Sequence, residues 1–231
     1  MKRKSGRAFD ELRSIKLTKN YLKHADGSVL VEWGHNIVVC SATIDSKVPP
    51  FLEGKKKGWI TAEYAMLPTS THQRSERERK KMGGRTYEIQ RLIGRSLRSI
   101  IDLKQIGERT VILDCDVIQA DGGTRCASIT GAYVALRLAL MNKSIDLKAL
   151  KDSVAGVSVG IVDGQVLLDL EYVEDSNASV DMNVIATPNG HLIEVAATGE
   201  EATFTQEELD QMLKIALLGI AKVVEIQQLS F

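Results

Sequence analysis

Residues 119–136 read QADGGTRCASITGAYVAL, and Gly122, Gly123, Thr124 and Arg125 form the group in this chain best suited to holding an anion. Before them, Val111, Leu113, Cys115 and Val117 share one face and Asp114 and Asp116 the other, which is the period of a strand. After them, Ile129, Tyr133, Leu136 and Leu140 recur at helical spacing. The glycines thus occupy a strand-to-helix turn, and Thr124 fits an N-cap. The first amides of such a helix lack internal acceptors and face an anion, and Arg125 adds a planar fork of donors that suits phosphate. Taken alone, the run also reads as a tight capped turn with a surface arginine.

A second group is a carboxylate pair. In LDLEYVEDSNASVDMNVIAT (168–187), Asp175 reads as the end of one strand and Asp181 as the start of the next. The short link brings both within reach of one ion, with Asp169 and Glu174 nearby. A hard divalent cation such as Mg²⁺ binds through one or two carboxylates and keeps its waters. The alternative is two solvated turn acids.

The third group is basic. HQRSERERKKMGGR (72–85) holds six Lys/Arg, including Arg74, Arg77 and Arg79, against two Glu. It has almost no apolar residues and reads as a loop. In the helix that follows, Ile89, Leu92, Ile93, Leu97, Ile100 and Ile101 form an apolar face, and Arg91, Arg95 and Arg98 line the opposite one. No acid interleaves those three arginines, so they suit a nucleic-acid backbone or an acidic neighbouring subunit. An anion-binding turn, a carboxylate pair and a basic channel together suit phosphoryl transfer, in which positioning and charge neutralisation do most of the catalysis.

Strands and helices must position these groups. HADGSVLVEWGHNIVVCSATI reads as strand, turn at Asp26-Gly27, strand, turn at Gly34, strand. SVGIVDGQVLLDLEYVEDSNASVDMNVIAT repeats the plan, with its turn at Asp163-Gly164. Helices near 86–102 and 124–141 follow the first run, and QEELDQMLKIALLGIAKVVEIQQ follows the second. The expected class is α+β, with two similar β-then-α halves, about 1–143 and 151–231, in one domain. The expected sheets are mixed and covered by helices.

The composition of the 231 residues narrows the function further. With 44% hydrophobic and only 5% aromatic residues, the core must be aliphatic. No apolar run is long enough to span a membrane, and the charged N-terminus lacks the apolar stretch of a secretory leader. Three cysteines, an odd number, read as reduced and intracellular. Scattered histidines argue against a structural zinc site. The formal net charge is +0, yet residues 1–100 hold 21 basic and 10 acidic side chains and residues 101–231 hold 9 and 20. That asymmetry suits a polyanionic partner, or neutralisation between the halves or between subunits.

Over nearly its whole length the chain resembles the bacterial ribonuclease PH family. The matching runs are GRAFDELR (6–13), ADGSVLVEWG (25–34), GWITAEYAMLP (58–68), GRTYEIQRLIGRSLR (84–98), DCDVIQADGGTRCASITGA (114–132) and LDLEYVEDSNASVDMNV (168–184). The resemblance implies a phosphate-dependent 3′→5′ exoribonuclease of the cytoplasm, acting on tRNA precursors and releasing nucleoside diphosphates reversibly. It implies a homo-hexameric ring built as a trimer of dimers. It assigns phosphate binding to Arg85, Gly123, Thr124 and Arg125, and catalysis with Mg²⁺ to Asp175 and Asp181. RNA then enters along Arg74, Arg77, Arg79, Arg91, Arg95 and Arg98. The run AATGEE (196–201) departs from the family's usual Gln-Gly-Thr-Ala-Glu-Gly. The alternative function is an RNA-binding or partner-dependent subunit of an exosome-like ring.

Overall fold

The first sheet grows from alternating apolar residues in β1 (Ile15–Lys19), β2 (Gly27–Trp33), β3 (Asn36–Asp45), β4 (Trp59–Met66) and β5 (Thr110–Gln119). The structure is a computed structural model and describes residues 3–78, 82–200 and 202–231. The strand order is β1-β2-β3-β5-β4. β4 runs parallel to β5 and the other pairs are antiparallel. A parallel pair needs a crossover, here supplied by α1 (Gly84–Ser99) and α2 (Leu103–Ile106). As the alternation predicts, Val111, Leu113, Cys115 and Val117 are buried, while Asp114 and Asp116 lie on the more open face.

The second sheet contains β6 (Ala155–Val162), β7 (Gln165–Leu168), β8 (Val180–Ala186) and β9 (Leu192–Gly199), in the order β7-β6-β8-β9 and antiparallel throughout. A one-turn helix, α4 (Tyr172–Asp175), links β7 to β8, and α5 (Gln206–Leu229) closes the chain. The central element is α3 (Thr124–Asn142), which packs on β2, β3 and β5 of one sheet and on β6 of the other. It is therefore buried nearly all round. β6 lies between α3 and α5, so both of its faces are buried, and its sequence AGVSVGIV has no polar side to alternate. One apolar cluster runs through both halves.

Three local readings change, and one holds. Asp26-Gly27 is not a hairpin turn, because β2 already begins at Gly27 and residues 20–26 form the connection. Asp163-Gly164 does close a two-residue hairpin, with φ of +49° and +72° between the paired Val162 and Gln165. The helix expected near 86–102 ends at Ser99, and Asp102 caps α2 by accepting from the Lys104 amide. Asp175 ends α4, not a strand, so the two aspartates are joined by a helix end and a loop. The α4 capping box explains why: Glu171 and Glu174 satisfy each other's backbone amides across the turn.

Candidate active site

The turn between β5 and α3 adopts a conformation that glycine allows. Gly122 and Gly123 have φ of +68° and +75°. A Cβ on Gly122 would stand 2.6 Å from the Leu170 carbonyl oxygen and 2.9 Å from the Tyr172 nitrogen. Gly123, not Thr124, is the N-cap residue, and Thr124 is the first helical residue. The Gly123 carbonyl accepts from the amides of Cys126 and Ala127 at 3.0 and 3.1 Å. The amides of Thr124 and Arg125 are left without an acceptor inside the helix, as first-turn amides must be.

A buried clamp sets this turn. Asn36 donates from Nδ2 to the Gly122 carbonyl at 2.5 Å and accepts from the Asp121 amide at 2.7 Å. Arg13 donates to the carbonyls of Asp121 and Gly122. Arg13 is itself held by Asp169, through Nη2 at 2.6 Å, Nε at 3.1 Å and its backbone amide at 2.7 Å. Trp33 Nε1 also donates to Asp169, at 2.9 Å. Burial pushes the Asp169 carboxyl up, but the charge and hydrogen bonds of Arg13 outweigh it, and the net shift is below the usual range. The carbonyls of Asp121 and Gly122 thus point into the clamp.

Beside the turn lies a cleft of about 530 Å³, lined by Arg85, Gly123, Thr124, His72, Tyr172 and Asp175 among others. Arg85 is exposed in the first turn of α1, and Arg125 is ion-paired to Glu88 of the same helix at 3.2 Å. Thr124 Oγ1 is hydrogen-bonded to Tyr64 Oη at 2.9 Å, and burial raises the pKa of that phenol. Asp175 is exposed as a residue, yet its carboxyl is partly desolvated by the cleft. That desolvation first, and then the charge of Asp181, raise its pKa. Among the described residues neither aspartate is in an ion pair. Asp181 sits on β8 between Gly160 of β6 and Thr198 of β9, so the departing 196–201 run begins on the strand beside it.

The structure therefore gathers Arg85, Gly123, Thr124 and Asp175 at one cleft, with Arg125 and Asp181 close behind. It does not bring Asp169 and Glu174 there. Asp169 belongs to the Arg13 clamp, and Glu174 pairs with Arg3 at 2.6 Å and with Arg7 at 3.4 Å. The expected arginine face is also partly used within the chain. Arg95 pairs with Glu194 of β9, and Arg98 folds over the Trp59 ring at 4.5 Å and donates to the Ile60 carbonyl. Arg91, Arg74 and Arg77 are exposed, and Arg79 lies outside the described residues. Arg13, Asn36, Tyr64 and Glu88 escaped the sequence reading because no local spacing links them to the turn. Only the fold brings residues so far apart along the chain together.

The comparisons agree along the chain. The 3′ exoribonuclease family matches with its domain 1 over residues 11–142 and its domain 2 over residues 152–219. Proteins called ribonuclease PH from Bacillus cereus (strain AH820) and Bacillus anthracis (strain A0248) are each 56% identical over 233 aligned residues, covering 98% of this chain and 95% of the relative. Two solved structures share the fold at low identity. The Archaeoglobus fulgidus exosome with RNA bound to the active site gives a TM-score of 0.83 at 21% identity, covering 97% of this chain and 92% of that one. Rice (Oryza sativa) Rrp46 gives 0.80 at 20%, covering 98% of each. With both family domains matched in order, and relatives more than half identical from end to end, this chain belongs to the 3′ exoribonuclease family.

Proposed function

We propose that the chain is a phosphate-dependent 3′→5′ exoribonuclease that trims tRNA precursors and other RNA. One observation carries the reading: the start of α3, Arg85 and Asp175 line a single open cleft, and Asp181 lies near enough for its charge to act on the Asp175 carboxyl. The relatives' name, ribonuclease PH, supports the same activity. Inorganic phosphate is held by the Thr124 and Arg125 amides, the Thr124 hydroxyl, and the guanidinium groups of Arg85 and Arg125. Its oxygen attacks the last phosphodiester, the 3′ oxygen of the penultimate nucleotide leaves and takes up a proton, and a nucleoside diphosphate is released. The bond formed and the bond broken are both phosphorus–oxygen, so the reaction runs in either direction. No protein nucleophile is required.

Asp175 and Asp181 fit a hard cation. Burial first, and then the charge of Asp181, raise the Asp175 pKa, and a nearby positive charge would offset both. No set of three or more His, Cys, Asp or Glu suited to a metal occurs among the described residues. A cation held by two carboxylates keeps water or phosphate oxygens in its other positions, which is the habit of Mg²⁺. When bound, it would offset charge developing on the leaving oxygen. Without it, the two aspartates still orient water and receive or return a proton at that oxygen.

The exposed Arg74, Arg77 and Arg91 suit the RNA backbone. A homo-hexameric ring, as a trimer of dimers, rests on the family resemblance. A cytoplasmic location is supported by three free cysteines, all buried, as in proteins of reducing compartments. Among the described residues no helix is long and apolar enough to cross a membrane. The test is direct: RNA is incubated with the purified chain with and without phosphate. Nucleoside diphosphates that form only with phosphate confirm the reading, and monophosphates released without it overturn the reading.

A further inference from the structure

The cleft holds two aromatic side chains that phosphate chemistry does not use. His72 and Tyr172 are in contact there, with ring centroids 5.2 Å apart and planes tilted by 52°. Both line the same cleft as Arg85, Thr124 and Asp175. Neither ring belongs to the apolar core, and Tyr172 is 47% exposed.

Each ring is held from behind. Tyr172 opens α4, and its amide donates to Asp121 Oδ1 at 3.1 Å, so its backbone is tied to the phosphate turn. Three residues on, the same helix ends in Asp175. His72 sits in a loop pinned at both ends. The Ala120 amide donates to the Ser70 carbonyl at 2.9 Å and the Ser75 amide to the Pro68 carbonyl at 2.8 Å. Between them Thr71 Oγ1 donates to the Gln73 carbonyl at 2.8 Å, which fixes the turn carrying His72. The two exposed rings lie outside the buried core, on a fixed backbone beside the anion site. They suit a flat apolar ligand attached to a phosphate.

We propose that His72 and Tyr172 form the seat for the 3′-terminal nucleobase, with the base stacked on the Tyr172 ring and His72 bracing that ring from the other side. The proposal rests on the reading of this cleft as an RNA 3′-end site. Stacking accepts every base, because each has a π face. A sequence-tolerant seat suits an enzyme that must remove whichever nucleotide comes last. The seat is tied through α4 to Asp175 and through Asp121 to the phosphate turn. Seating the base therefore places the scissile phosphodiester between the attacking phosphate and the carboxylates, and orientation of that kind is a large part of catalysis.

The test is a double-mutant cycle between protein and RNA. Binding of a short oligoribonucleotide is measured without phosphate, once with its normal 3′ residue and once with an abasic 3′ residue. The proteins are wild type, Tyr172→Ala, Tyr172→Phe and His72→Ala. Tyr172→Ala should weaken binding of the normal RNA about 10- to 100-fold, the worth of one stacked base. It should leave the abasic RNA nearly unchanged. Tyr172→Phe keeps the ring and should bind both RNAs as wild type does. His72→Ala should cost a smaller factor, about 2- to 10-fold, again only for the normal RNA. The half-saturating phosphate concentration and the melting temperature should not move.

Equal losses for normal and abasic RNA, or no loss for either, would overturn the seat. A rise in half-saturating phosphate for Tyr172→Ala would also overturn it, since Tyr172 would then act by positioning the turn. If wild type binds neither RNA, the reading of the cleft itself fails, and the seat with it. If wild type binds RNA and produces diphosphates while the cycle shows no coupling, only the seat fails.

Discussion

Asp169→Asn tests whether the phosphate turn depends on the buried clamp behind it. Asp169 is 2% exposed and accepts four hydrogen bonds, three from Arg13 and one from Trp33. Its φ is +56°, and asparagine tolerates that left-handed conformation, so the backbone need not move. The substitution removes the charge and turns one oxygen into an NH₂ that must face donors. Arg13 is left buried with only Asp121 as a carboxylate partner, at 3.7 Å. Removing one partner of a buried ion pair costs about 3–5 kcal/mol. For a chain of this size, each kcal/mol shifts Tm by about 2–4 °C, so Tm should fall by roughly 6–20 °C.

The loss should depend on pH with a definite sign. The folded pKa of Asp169 lies below the ordinary 3.8, so its contribution is complete above that value. The contribution disappears as pH falls through the folded pKa. The Tm gap between wild type and variant should therefore be full at neutral pH and narrow only below about pH 4. Because Arg13 holds the carbonyls of Asp121 and Gly122, the half-saturating phosphate concentration should also rise, with turnover at saturating phosphate less affected. Calorimetry across pH and phosphate titration of the reaction measure both effects. A Tm within 2 °C of wild type at pH 7, with unchanged phosphate dependence, would refute the idea that this clamp shapes the turn.

Four further substitutions separate the roles of the cleft and the arginine helix. Asp181→Asn should lower turnover by about 10² to 10⁴ and leave RNA affinity nearly unchanged, and near-normal turnover at saturating phosphate would remove this aspartate from the mechanism. Arg125→Ala should act mainly by raising the half-saturating phosphate concentration, and a pure turnover defect would mean that Arg125 does not bind the attacking anion. Arg98→Ala should cost about 1–3 kcal/mol of stability through the lost Trp59 and Ile60 contacts, without changing the salt dependence of RNA binding. Arg91→Ala should keep stability and reduce the salt slope by about 0.7, the share of one phosphate on a single strand. Equal salt slopes for the two arginine variants would show that the helix face is not divided as its contacts imply.

What the sequence by itself determined about this protein was local. The alternation of Val111 to Val117, the helical period after Thr124 and the glycine pair between them are set by neighbours in the chain, so strand, turn and helix were legible there. The Asp163-Gly164 hairpin was legible for the same reason, since left-handed turn residues announce themselves. Asp26-Gly27 carries the same dipeptide without the hairpin, because the pairing of β2 with β3 sets Gly27 opposite Ala42, inside a strand. The value of that dipeptide depended on a partner strand that no local window contains. Arg91, Arg95 and Arg98 of α1 were visible as a stripe, but only tertiary packing decided their roles. Glu194 and Trp59 reach Arg95 and Arg98 from other strands and leave Arg91 open. Asp169, Glu174, Asp175 and Asp181 stood together in one segment, and the fold divided them. Arg3 and Arg13, more than 150 residues away, bind Glu174 and Asp169, while Asp175 is left lining the cleft with Asp181 close behind it. Composition and spacing supply the charges, but which charge stays free to react depends on which others are neutralised, and that is settled only when distant segments pack.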